Sequence, residues 1–94
     1  MAITKIKDPD EDLDYTWDFS GLLETDETIA SYSFENVPDD IDLHDKTNSG
    51  TEVTAYVGPG GADGDAHVVT CRIVTTATPP RTFDRSIRFK LQTK

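Results

Sequence analysis

The sequence predicts an all-β domain, a β-sandwich of about seven short strands, and three observations carry that prediction. Two runs of β-branched and aromatic residues, 67–76 and 81–91, stand either side of a turn that holds Pro79 and Pro80. In the later run Phe83, Ile87, Phe89 and Leu91 share one face, and Thr82, Asp84, Ser86, Arg88 and Lys90 share the other. A half-buried strand needs that period of two, because successive side chains point to opposite faces. Turn signals then recur about every ten residues, with no helical stripe between them.

Taken in order, residues 1–7 alternate weakly, with Ile3 and Ile6 as their apolar members, and read as an extended N-terminal arm or an edge strand. Asp8-Pro9-Asp10-Glu11-Asp12 is an acidic turn. Leu13, Tyr15, Trp17 and Phe19 alternate with Asp14, Thr16, Asp18 and Ser20, the clearest strand pattern of the first half. Residues 21–27 connect it to a strand over 28–35, with Ala30, Tyr32 and Phe34 on one face and Ile29 on the other. A break at 36–40 precedes Ile41 and Leu43, which suit a short strand, and 46–50 read as a turn. Val53, Ala55 and Val57 mark the strand over 51–57, and the glycine-rich stretch 58–65 is a loop before the final strand pair. Trp17 and Cys71 fall where immunoglobulin domains place core residues, although a single cysteine cannot form their disulfide. The expected architecture is therefore an immunoglobulin-like β-sandwich, one domain over 8–94 preceded by the arm over 1–7.

Bulk composition narrows the function. The chain has 94 residues, a hydrophobic fraction of 35% and a net charge of −9. Residues 1–52 hold fifteen Asp/Glu against three Lys, net −12, and residues 53–94 hold six Lys/Arg against three Asp, net +3. Such an acidic chain repels phosphate backbones, which argues against nucleic-acid binding. Arg72, Arg81, Arg85, Arg88 and Lys90 are the one basic concentration. They read either as an ordinary solvated strand face or as one half of an acidic–basic polarity that docks neighbours. One cysteine suits a reducing compartment. No apolar run approaches the roughly 20 residues of a spanning helix, and no signal-peptide stretch opens the chain. The expectation is a soluble protein with no membrane contact, made in the cytoplasm.

Catalytic and metal chemistry find little support. Asp8, Asp10, Asp12 and Asp14 alternate as calcium ligands can, but Leu13 and Phe19 occupy the positions where a helix–loop–helix calcium site needs Gly and Glu. A dinucleotide fingerprint begun at Gly58 would need glycine where Asp63 stands, and no Lys-Ser/Thr follows to make a phosphate-binding loop. His44 and His67 lie in no signature with Cys71 or a serine, and Cys71 is in phase with Val69 and Ile73, as a buried thiol would be. No enzyme, metal or cofactor is expected. The contact residues that remain are Ile3 and Ile6 by strand addition, Tyr56 by its exposure out of phase with Val53 and Val57, and Arg85 and Arg88 by charge.

Two stretches carry a family resemblance. Asp8-Pro9-Asp10-Glu11-Asp12-Leu13-Asp14-Tyr15-Thr16-Trp17-Asp18-Phe19-Ser20 leads into Leu22-Leu23, and Val69-Thr70-Cys71-Arg72-Ile73 precedes Thr75-Thr76 and Arg85-Ser86-Ile87. Together they resemble the small, immunoglobulin-like fiber-tail adaptor proteins of tailed bacteriophages, loosely over 8–91. The Pro79-Pro80 turn and the acidic stretch 37–45 depart from that pattern. The resemblance implies a virion structural protein, assembled in the bacterial host cytoplasm, that joins tail or neck to fibres through protein–protein contacts, in an oligomeric ring or in repeated copies. The competing expectations are a capsid decoration or cement protein and, in another class, a carbohydrate-binding sandwich that stacks sugars on Tyr15, Trp17, Tyr32 or Tyr56.

Overall fold

A computed structural model describes residues 2–35, 37–39 and 41–93. Met1, Asn36, Asp40 and Lys94, which the expected arm, break and domain include, lie outside the described residues. The chain is all-β, with β1 (Ala2–Lys7), β2 (Leu13–Asp18), β3 (Ile29–Glu35), β4 (Leu43–Asn48), β5 (Glu52–Val57), β6 (Ala66–Thr75) and β7 (Thr82–Leu91). They form a four-stranded sheet in the order β1-β7-β6-β3 and a three-stranded sheet in the order β2-β5-β4. The pairings are antiparallel except β1 with β7, which is parallel.

The core lies between the sheets, where the period-two residues meet. Val69, Cys71 and Ile73 of β6 and Phe89 of β7 are fully buried, as are Val53, Ala55 and Val57 of β5. Trp17 of β2 is 1% exposed, and its indole Nε1 donates to the Val69 carbonyl across the core at 3.2 Å. Rings interlock around it: Tyr15 meets Phe89 edge-on at 4.7 Å, and Trp17 meets Phe34 at 5.0 Å. Such pairs contribute about 0.5–1.5 kcal/mol each beyond their area burial.

Two departures from simple alternation have local causes. Ile29 and Tyr32 are out of phase, yet Ile29 is buried and Tyr32 packs on the core. The register between β3 and β6 shifts at Ala30, and that extra residue turns Ile29 inward and leaves Ala30 exposed. The predicted turn at 46–50 is shorter than expected, because β4 continues through Asn48 and pairs Thr47 with Thr54 and Asn48 with Val53. A register shift between His44 and Thr47 makes this possible, with Asp45 at φ 50° in the left-handed region. Residues 2–7, read from the sequence as an extended arm or an edge strand, pair with β7 from Ala2↔Ser86 to Lys7↔Leu91 at the edge of the four-stranded sheet.

The loops gather at two ends. At one end the backbone N–H of Gly58 donates to Asp42 O at 2.7 Å, and that of Gly60 to Pro9 O at 2.9 Å. A Cβ on Gly58 would stand 3.2 Å from Asp42 O, so the close approach favours glycine there. The loop over 58–65 is also bonded to the end of β7 through Gly64 N to Leu91 O and Leu91 N to Asp65 O. At the other end Glu27, 7% exposed, is clamped by Thr75 Oγ1 at 2.6 Å, the Glu24 N–H at 2.9 Å and Arg81 Nη1 at 2.9 Å. The hydroxyl of Thr75 is the foremost of the donors that hold the Glu27 carboxyl below the usual carboxylate range.

Candidate interaction surface

The contact residues expected from the sequence do not form one patch. Ile3 and Ile6 are 51% and 55% exposed. Three residues apart on a strand, they point to opposite faces. The register pairs Ile3 with Ile87 and Ile6 with Lys90, so Ile3 points toward the inter-sheet side and Ile6 toward the outside. Ile3 stays exposed because the β2 ring that stacks on this part of the sheet, Tyr15, sits over Phe89 of β7 rather than over β1. Beyond β1 the sheet has no further strand among the described residues, so its outer edge carries open N–H and C=O groups. Lys7, two residues on from Lys5 along the same face, is buried, and its Nζ donates to Asp8 O at 3.0 Å. Burial pushes the Lys7 amine below its usual pKa.

Arg85 and Arg88 separate for the same reason of parity. Arg88 stands on the outer face of the four-stranded sheet, beside Val68 and Thr4. Arg85, opposite Cys71, is on the inner side and half-buried, and its charge acts on Asp18. Its Nε is buried without a hydrogen-bond partner. Of the two arginines expected as contacts by charge, Arg88 thus lies on the outer face and Arg85 on the inner side.

Around Arg88 the outer face of the four-stranded sheet is basic and apolar. Lys90 lies between Ile6 and Ala66, and Arg88 between Thr4 and Val68, which is 44% exposed. Farther across, the same face carries carboxylates: Arg72 is neutralised by Asp84 through a forked pair at 2.9 and 3.1 Å, which lowers the Asp84 pKa, and lies 3.8 Å from Glu35, so the basic part is the β1–β7 side.

The outer face of the three-stranded sheet carries the opposite charge. Asp14, Thr16 and Asp18 of β2 share it with Glu52, Thr54 and Tyr56 of β5, and Thr16 and Thr54 join hydroxyls at 2.9 Å. Tyr56, 39% exposed as its phase implied, stacks on His44 at 5.4 Å. His44 lies between two carboxylates, with Nδ1 at 2.7 Å from Asp45 and Nε2 at 2.8 Å from Asp12. Asp45, then Asp12, raises the His44 pKa above its usual value. Asp45 adjoins His44 in the chain, whereas Asp12 is thirty-two positions away and reaches the ring only because β2 and β4 both pair with β5.

The remaining candidates are structural. Asp8 and Asp10 form a turn closed by Asp10 N to Asp8 Oδ1 at 2.9 Å, and Glu11 Oε1 accepts from Asp8 N at 3.0 Å. Among the described residues no group of three or more His, Cys, Asp or Glu is arranged to hold a metal ion, and no pocket opens. Cys71 is buried and its thiol is pushed up to about 12, first by desolvation and then by Asp84. Trp17 is enclosed, Tyr15 packs on Phe89 and Tyr32 packs on Phe34, so none of the three is an open platform for a sugar ring.

Residues 7–90 match a family model described as podophage GP4 fiber-tail adaptor protein gp77. A comparison with curated proteins returns no match.

Proposed function

The chain belongs to the podophage GP4 fiber-tail adaptor protein gp77 family, and on that premise we propose that it joins the tail or neck of a tailed-phage virion to its fibres. Family membership makes it a structural, adaptor-type component of a phage virion. The match over 7–90 is the observation that carries the reading, since it spans both sheets except for most of β1.

The strand order supports an immunoglobulin-like assignment. With β1 to β7 as strands A to G, β2-β5-β4 corresponds to B-E-D and β3-β6-β7 to C-F-G. The difference from the constant-type order is strand A, which pairs with G instead of B. Trp17 and Cys71 lie on strands B and F, which carry the inter-sheet disulfide in antibody domains. Residues 8–94 act with β1 as one domain in this reading. The open edge of β1, with Ile3 and Ile6, takes an extended segment of a tail or fibre protein by strand addition, and Tyr56 and Arg88 contribute contacts on the two outer faces. Assembly takes place in the host cytoplasm, with several copies in the particle.

The test is cryo-EM of particles from cells in which the gene is intact or deleted. The reading expects density for the chain between tail and fibre, and particles without fibres when it is deleted. Density on the capsid lattice would replace the adaptor role with a decoration role.

A further inference from the structure

We infer that the two outer faces of the sandwich are complementary docking surfaces, by which copies of this chain associate front to back, basic four-stranded face against acidic three-stranded face. The inference rests on the adaptor reading, in which several copies of the chain share one particle.

Folding, not chain order alone, sorts these charges. Arg88 and Lys90 are brought to one outer face by the period of β7, and β1 and β6 flank them with Ile6 and Val68. Asp14, Asp18 and Glu52 are brought to the opposite outer face by β2 pairing with β5. Three other cationic side chains are matched within the chain: Arg72 by Asp84 and Glu35, Arg81 by Glu27 and Glu24, and His44 by Asp12 and Asp45. Among the described residues Arg88 and Lys90 have no carboxylate within ion-pair distance, and Asp14 and Glu52 have no cation. Like charges held side by side on an exposed face repel each other, and an oppositely charged neighbour relieves the repulsion on both faces at once.

Apolar groups sit where such a contact would bury them. Ile6 and Val68 bracket the two cations, and Tyr56 stands in the row with Asp14 and His44. Tyrosine and arginine are enriched at interface centres because each combines apolar area with a polar end. A nucleic acid is a poor occupant for the basic face, since the chain carries a net charge of −9. A second copy supplies the required acidic, aromatic surface without any further component. An interface between two unlike faces of the same chain leaves one of each free at the ends, so it continues until it closes into a ring or extends as a filament.

The test uses the full chain in sedimentation velocity at about 0.1 M and about 1 M salt, where the screening length falls from about 10 Å to about 3 Å. Wild type should form species larger than dimers at low salt, with apparent affinity at least tenfold weaker at high salt. The double variant Arg88→Glu/Lys90→Glu, with two acidic faces, and the double variant Asp14→Lys/Glu52→Lys, with two basic faces, should each be monomeric while keeping the wild-type circular dichroism. Mixing the two should restore association, because one supplies the face the other has lost. A monomeric wild type at both salts, self-association of either variant alone, or a mixture that stays monomeric overturns the inference. Failure of the adaptor reading is seen separately, as absence of the wild-type chain from purified particles. A chain found at the tail yet monomeric in sedimentation removes the front-to-back contact alone.

Discussion

β7 and β1 lie side by side in one sheet and are held there by different forces. On β7, Ile87, Phe89 and Leu91 are at most 2% exposed, enclosed between the sheets. On β1, Ile3 is paired in register with Ile87 and points the same way, yet it is 51% exposed. Position explains the contrast. The rings of β2 lie over Phe89, whereas β1 overhangs the narrower three-stranded sheet. β1 is therefore retained by its ladder of backbone hydrogen bonds and by buried Lys7, while its isoleucines are left over from folding. Side chains that do not stabilise the monomer are the ones available to a neighbour.

Substitutions should separate the two regions sharply, and the largest effect belongs to the core. Trp17→Ala removes the central ring and leaves the Val69 carbonyl without its indole donor. It should cost about 3–5 kcal/mol in urea unfolding, and a loss below about 1 kcal/mol would mean that the core is not organised around Trp17.

Lys7 lies at the border. Lys7→Ala deletes a buried aliphatic stem and should cost about 1–2 kcal/mol, whereas Lys7→Met, which keeps the stem, should retain most of that stability. Equal losses in the two variants would assign the effect to the amine and its bond to Asp8 O instead.

The His44 cluster gives a smaller, pH-dependent effect on the opposite sheet. Its folded pKa is raised by Asp45 and Asp12. The stabilisation is thus fully present below the unfolded pKa of about 6.5 and is lost as pH rises through the higher folded value. The stability gap between wild type and His44→Gln should accordingly be wider at about pH 5.5 than at about pH 8.5. A gap that widens toward alkaline pH would contradict the carboxylate cage.

Ile3→Ser and Ile6→Ser should have the smallest effect on the isolated chain, within about 0.5 kcal/mol each. The same pair should nevertheless reduce incorporation into particles, measured by quantitative mass spectrometry. A loss above about 2 kcal/mol in the monomer would instead make β1 part of the core and erase the contrast with β7.

Much of the fold was legible because alternation reports a strand and its buried face without reference to distant residues. Phe83, Ile87, Phe89 and Leu91 on β7, and Val53, Ala55 and Val57 on β5, needed nothing more. The family, too, was readable from the opening at Asp8–Ser20 and from the Val69–Ile73 run. Bulges were not legible: Ala30 and the Asp45 step each insert one residue into a ladder, and the partner strand decides where that extra residue is tolerated. The surface residues were legible singly and misleading as a set. Arg85 and Arg88 look alike in sequence, yet an odd spacing on one strand sends the first inward opposite Cys71 and the second outward beside Val68.

From its residues alone the chain determined that it is all-β, which residues face the core and where most strands begin, because those properties depend on neighbours one or two positions away. Tertiary structure alone decided that residues 2–7 join β7 in parallel, that Asp12 reaches His44, and that unmatched acids and bases occupy opposite outer faces. Those outcomes depend on which strand lies beside which, and strand order is settled by the joint burial of two sheets, not by the pattern along any one strand.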